Sequence, residues 1–338
     1  MGGPVKRRSF WFIGPGAVEI RESAIPTPSD GQILVQTCAS AISAGTELLI
    51  YRNQFPAGIQ ADETLAALRH PLAYPMQYGY ACLGRVVVRG GGISPAWEGR
   101  RVFAFHPHES HFLARPEDLF TVPDSMTDEE ALFLPHLETA VNFILDGRPM
   151  IGEDVAVLGQ GVVGLLTTAL LSLFPLGRLV TSDLYPLRRS RSIEAGAQRC
   201  FDPLRTEDQS DHLPRDFDLV YELSGYPAAL DQAIAMTGFG GRVIIGSWYG
   251  TKRASLDLGG TFHRGRIRLV SSQVSTIAAR FQDRWTRRRR FDVAADLLTR
   301  VRPARFVTHR FTLKQAGEAF AMLDERPQDC LQVILLYK

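Results

Sequence analysis

Asp154–Gly164 reads DVAVLGQGVVG, and Asp183 closes the later stretch RLVTSD. The apolar run up to Leu158 suits a buried parallel strand. Gly159, Gly161 and Gly164 follow as GxGxxG. In that pattern the first glycine allows a tight turn and the second lets a pyrophosphate approach the backbone. The third lets the next helix, expected over Val162–Leu173, pack close to the strand. Helix N-terminal amides and the helix dipole favour the phosphate charge. A second strand over Arg178–Ser182 ends in Asp183, where a carboxylate would hold the adenosine ribose hydroxyls. The glycine motif alone is weak. Strand before it, helix after it and acid at the end of the next strand together point to dinucleotide binding. The plain alternative is a glycine-rich turn in some other α/β unit.

The rest of the chain sets bounds. At 338 residues it is long enough for two domains. Lys and Arg number 38 against 36 Asp and Glu, so no global field points to nucleic acid. The four cysteines, Cys38, Cys82, Cys200 and Cys330, form no CxxC pair. That speaks against a zinc lobe or disulfide framework and fits a reducing cytoplasm. The N-terminal MGGPVKRRSFWFIGPG lacks the long apolar core of a signal peptide, and no run has the length of a membrane span. A cytoplasmic protein with no membrane partner is expected.

Residues 1–143 are expected to be β-rich, with strands over Ser9–Ile13, Ala17–Glu22, Gln32–Ala41, Cys82–Arg89 and Arg100–Phe105. Asp62–Arg69 reads as a short helix within the long connection from Arg52 to Tyr78, which is expected to cover the mouth of the substrate cleft. Thr127-x-x-Glu130 is a capping box. From 144 to 275 strands and helices alternate, as in a doubly wound Rossmann sheet. Residues 276–338 have no place in that sheet and are expected to return to the first domain.

Several segments resemble motifs of the medium-chain dehydrogenase/reductase superfamily. Ser43-Ala44-Gly45-Thr46-Glu47 is similar to its Cys-Gly-Thr-Asp segment, and Gly79-Tyr80-Ala81-Cys82-Leu83-Gly84-Arg85-Val86 to its Gly-His-Glu-x-x-Gly-x-Val segment. Gly99-Arg100-Arg101-Val102 resembles Gly-Asp-Arg-Val, and Glu222-Leu223-Ser224-Gly225 and Gly240-Gly241-Arg242-Val243 resemble later Rossmann signatures. The Ser43–Glu47 segment is also similar to a branch that includes bacteriochlorophyllide-type hydroxyethyl dehydrogenases. The resemblance implies a GroES-like catalytic domain beside the Rossmann domain, and a homodimer. It implies an oxidoreductase that moves a hydride between NAD(P) and a carbonyl/alcohol pair of a small organic substrate, at a cleft between the domains. In zinc members the Cys and His of those two motifs are metal ligands. Here they are Ala44 and Tyr80, and the neighbouring Glu is Ala81. A catalytic zinc needs about three N, S or O protein ligands, so a zinc-independent enzyme with no metal is expected.

The resemblance places the cofactor on Gly159, Gln160, Gly161, Val162, Val163, Gly164, Asp183, Arg188, Ser224 and Gly246. Asp183 favours NAD by repelling a 2′-phosphate. Arg188 and Arg189 would attract one, which keeps NADP as the alternative. Thr46 matches the family's proton-relay hydroxyl, or else is a turn hydroxyl. Tyr80 is the first candidate for an electrophile or acid, against a packed core tyrosine. His136 and Glu138 lie near the family's third ligand region as a proton shuttle and an orienting carboxylate, with ordinary polar groups as the alternative. His106, His108 and His111 in FHPHESH form a loose cluster, read chiefly as a polar loop, with a substrate role or a metal as the sharper readings. The run Arg287–Arg290 reads as a solvated face. Two other functions stay open: an enoyl or quinone C=C reductase, and an inactive nicotinamide-binding scaffold or sensor.

Overall fold

Gly14-Pro15-Gly16 separates two alternating segments and folds them into a hairpin. β1 (Arg7–Gly14) pairs antiparallel with β2 (Ala17–Ser23). The structure is a computed structural model that describes residues 6–204 and 214–337; residues 1–5 of the N-terminal stretch read above lie outside it. β3 (Ile33–Ile42), β4 (Cys82–Arg89), β5 (Arg101–Ala104), β6 (His111–Ala114) and β7 (Leu119–Thr121) follow. The expected capping box is present: Glu130 N donates to Thr127 Oγ1 at 3.2 Å, and Thr127 N to Glu130 Oε2 at 2.9 Å. The expected helix over Asp62–Arg69 is only one 3-10 turn, Ala66–Leu68, because Asp62 Oδ1 captures the amides of Thr64 and Leu65 in a side-chain turn.

The strand–helix alternation then builds β8 (Asp154–Leu158), β9 (Arg178–Ser182), β10 (Arg199–Phe201), β11 (Phe217–Glu222), β12 (Thr237–Ile245) and β13 (Arg268–Ser271). They pair in parallel in the order β10-β9-β8-β11-β12-β13. This is the doubly wound order 3-2-1-4-5-6, in which strand order reverses beside β8. Val155, Ala156 and Val157 are fully buried, as a sheet covered on both faces requires.

β14 (Val307–Thr312) and β15 (Gln332–Leu336) return to the first sheet, giving the order β14-β15-β3-β4-β5-β7 with β6 on β3. Between these two strands the helix Ala316–Glu325 brings Phe320 onto Phe10 and Phe12, with ring centroids 5.0 and 5.2 Å apart. All three rings are fully buried; each such burial contributes about 1.5–3 kcal/mol.

The chain divides into two compact units. One runs to Pro135 and resumes at Val307; the other is His136–Phe306. The boundaries differ from those expected. Residues 276–306 stay with the nucleotide sheet's unit because the helix Arg287–Val301 buries Ala294, Leu298 and Val301 there. Among the described residues no helix is long and apolar enough to cross a membrane.

Candidate active site

In the second unit the glycine loop is set by backbone geometry. Gly159 has φ +91, and a Cβ there would lie 2.5 Å from the Ser224 Cα. Gly164 permits the close helix packing: its Cβ would lie 2.0 Å from the Gly159 carbonyl. Gly161 differs from both. Its φ of −65 suits any residue, and nothing lies within 4 Å of where its Cβ would be. It caps the helix Val162–Leu171 without a side-chain hydrogen bond, so no side chain of the N-cap covers the first-turn amides. Gln160 braces the loop from beneath. Its side chain donates to Val157 O and Gly159 O at 3.3 and 3.2 Å, and accepts from Thr168 at 3.0 Å.

Asp183 accepts the Gln160 amide at 2.7 Å on Oδ2 and the Tyr185 amide at 2.9 Å on Oδ1. A carboxylate has about four acceptor sites, so ribose hydroxyls still find room. Arg188 lies over the Tyr185 ring at 4.8 Å, with a guanidinium nitrogen 3.9 Å from Asp183. Ser224 is pinned by the buried Glu222, which accepts its amide at 2.8 Å and its hydroxyl at 2.5 Å. Gly246 is a packing glycine, since a Cβ would lie 2.4 Å from the Phe143 ring.

In the first unit a cluster of hydroxyls forms where the helix Ala44–Tyr51 begins. Tyr80 donates to the Ser43 hydroxyl and lies 3.4 Å from Thr46 Oγ1. Burial pushes the Tyr80 phenol up to about 12, while its bonds with Ser43 and Thr46 pull the other way. Tyr80 therefore stays protonated far above neutral pH. The Ser43 proton has no acceptor among the described residues. Sequence reading named Thr46 and Tyr80 but missed Ser43, the helix N-cap that joins them.

No protein-family model matches the chain. It is 25% identical to the uncharacterized zinc-type alcohol dehydrogenase-like protein YphC of Escherichia coli K12, over 93% of this chain and 94% of that one. It is 26% identical to the 2-desacetyl-2-hydroxyethyl bacteriochlorophyllide A dehydrogenase of Cereibacter sphaeroides, over 95% of each. The crystal structure of RspB from E. coli CFT073, an alcohol dehydrogenase complexed with NADH, superposes with a TM-score of 0.78 at 18% identity, over 98% of this chain and 99% of that one. The chain is thus similar over nearly its whole length to zinc-type alcohol dehydrogenase-like proteins, and it shares the fold of solved dehydrogenases.

The positions that match the zinc ligands of the resembled family are chemically changed here. Ala44 offers a methyl group packed against apolar neighbours, and Tyr80 is engaged with hydroxyls. This donor set does not fit zinc. Among the described residues no group of three or more His, Cys, Asp or Glu gathers in a way that could hold a metal. The FHPHESH histidines diverge. His106 stacks on Phe112 at 4.1 Å, His111 pairs with Ser110 at 3.0 Å, and His108 turns inward to Glu47 at 2.9 Å. Burial drives His106 down to about 4 and Glu109 up to about 7, with Arg7 lowering both.

His136 and Glu138, expected as a proton shuttle and an orienting carboxylate or as ordinary polar groups, are both buried. Burial lowers His136 to about 4, so the imidazole is neutral at pH 7. Glu138 is bound by Arg290, with nitrogens 2.9 and 3.1 Å from Oε1. Burial raises the Glu138 carboxyl while Arg290 opposes the shift. Arg290 also donates to Asn142 at 2.7 Å and is 1% exposed. The run Arg287–Arg290 is therefore not wholly a solvated face, because its last member is an internal tie.

Proposed function

We propose that the chain is an NAD(P)-dependent oxidoreductase acting on a carbonyl/alcohol pair of a small organic substrate, without zinc at the superfamily's metal positions. The observation that carries this reading is the Tyr80–Ser43–Thr46 cluster, with its remaining donor, standing where zinc members place two metal ligands. The open Gly161 and the helix N-terminus it begins, uncapped by a side chain, suit a pyrophosphate, and Asp183 suits the ribose hydroxyls. Asp183 also supports NAD over NADP, since its carboxylate opposes a 2′-phosphate. When bound, the nicotinamide supplies or accepts the hydride.

The chain's own residues handle the oxygen. Charge develops on it as the carbonyl carbon is reduced, and Ser43 donates to it with Tyr80 donating behind Ser43. Such aimed donors stabilise the transition state more than the ground state. An alkoxide is a stronger base than a phenolate, so a Tyr80 phenol raised to about 12 still yields its proton through Ser43. In the alcohol direction the same hydroxyls take the proton back.

The test is NADH oxidation on a fixed panel of acetaldehyde, benzaldehyde, acetoin, glyceraldehyde, cyclohexanone and cyclohexenone, with product analysis and elemental analysis of the protein. Alcohol products from metal-free protein are expected. Saturated ketone from cyclohexenone, with no alcohol from any member, would point to C=C reduction instead. Stoichiometric zinc whose removal stops turnover would sink the zinc-free reading.

A further inference from the structure

A buried pair that the proposed chemistry does not use lies behind the hydroxyl cluster. Glu47 and His108 are both fully buried. His108 Nε2 is 2.9 Å from Glu47 Oε2, and His108 Nδ1 is 2.7 Å from the Ser40 hydroxyl. Ser40 in turn lies 2.9 Å from the Tyr337 hydroxyl. The other Glu47 oxygen accepts the Ser43 amide at 2.7 Å. A neutral imidazole has one arrangement here. Nε2–H donates to the carboxylate, and Nδ1 accepts from Ser40.

The pair touches both segments that carry the hydroxyls. Through Glu47 it holds the Ser43 amide, while the Ser43 side chain receives Tyr80. Through the imidazole it packs on Gly79, the residue before Tyr80. A Cβ on Gly79 would lie 2.8 Å from that ring. The His108 amide also donates to Tyr78 O at 3.3 Å. Buried pairs of this kind are weak sources of stability compared with apolar packing. Their contribution is fixed geometry, because each polar atom must meet its partner.

We propose that Glu47 and His108 are positioning residues that hold the Ser43 turn and the Gly79–Tyr80 segment in register, so that the Ser43 donor meets the substrate oxygen. This rests on the reading of the hydroxyl cluster given above.

The test joins a substrate-free signal to kinetics. Tyrosine labelled with 13C at Cζ gives nine resonances at most, and Tyr80→Phe identifies the one from Tyr80. In His108→Phe that resonance should shift. With the first panel carbonyl that the wild type reduces, kcat should fall about 100-fold, as displaced catalytic groups show, while NADH affinity stays within about twofold. In His108→Gln the amide still donates to Glu47, so the resonance and most of the turnover should return. Should His108→Phe fail to fold, the isosteric Glu47→Gln reads the same two signals, with loss of both register and kcat expected. An unmoved Tyr80 resonance overturns the proposal, as does a Gln variant no nearer wild type than the Phe variant. A shifted resonance with wild-type kcat overturns the catalytic reading of the hydroxyls together with the proposal. No carbonyl reduction at all, with the resonance behaving as expected, breaks the function reading alone.

Discussion

The glycine loop and the hydroxyl cluster use the chain in opposite ways. The loop presents main-chain amides, and its key position, Gly161, contributes by having nothing where a side chain would be. The cluster presents side-chain oxygens from Ser43, Thr46 and Tyr80. One site is defined by space left empty, the other by atoms brought together. The first therefore tolerates no addition and the second no subtraction.

The largest effect should come from Gly161→Val. Its backbone is unstrained and its surroundings are open, so the fold should survive while NADH binding by calorimetry is lost. Gly164→Ala is the opposing control. Its Cβ would sit 2.0 Å from the Gly159 carbonyl, and overpacking of this sort costs about 1–3 kcal/mol, visible as a lower Tm. Equal drops in Tm for the two variants would break the distinction between ligand space and packing space.

Subtraction comes next. Tyr80→Phe should lower kcat by about 10²–10³, the loss seen when one aimed donor is removed, and should raise KM little. Thr46→Val should act in the same direction but less, because its contact with Tyr80 is 3.4 Å. Wild-type turnover in both variants would leave the oxygen without its proposed donors.

Asp183→Ser should show a smaller effect, read as the ratio of NADH to NADPH affinity. The expectation is a shift of about tenfold towards NADPH, roughly the contribution of one charge contact. The Gln160 amide would also lose its 2.7 Å acceptor, so some loss for both cofactors accompanies the shift. A wild-type protein that already prefers NADPH would reverse the reading and point to Arg188.

The smallest effect concerns pH. His136 has its pKa lowered from 6.5 to about 4. The unfolded chain binds that proton more readily, so the contribution to stability is full above about 6.5 and is lost as pH falls through about 4. In the first unit, His106 shifts the same way while Glu109, 3.4 Å from it, moves up to about 7 and opposes it. Burial is what lowers His136, so His136→Leu should flatten the rise of Tm between pH 4 and 6.5. A Tm profile parallel to wild type would show that His136 titrates normally.

The same contrast explains what was legible in the sequence. The loop's residues are contiguous, and Asp183 is 23 residues from its partner Gln160 at the end of the next strand. Period and spacing reveal such a site. Tyr80 and Ser43 are 37 residues apart, and Glu47 and His108 are 61 apart. Motif positions pointed to Tyr80 and Thr46, yet nothing local joins Ser43 to Tyr80 or His108 to Glu47. The Arg290 partner of Glu138 lies 152 residues on, so nothing near Glu138 in the sequence shows that pairing. The assignment of 276–306 to the first domain has the same cause, since only the folded packing of the helix Arg287–Val301 places it.

Arg290 gives that helix an uneven tolerance to change. Four identical residues stand in a row, but Arg288 pairs with Asp292 on the surface and Arg289 lies against Trp285. Arg290 alone is enclosed, holding Glu138 and Asn142. In a saturation library of this segment, three neighbouring arginine codons should accept most replacements. The fourth should accept almost none, lysine included, because one ammonium cannot span the carboxylate, the amide and the carbonyls that a forked guanidinium reaches.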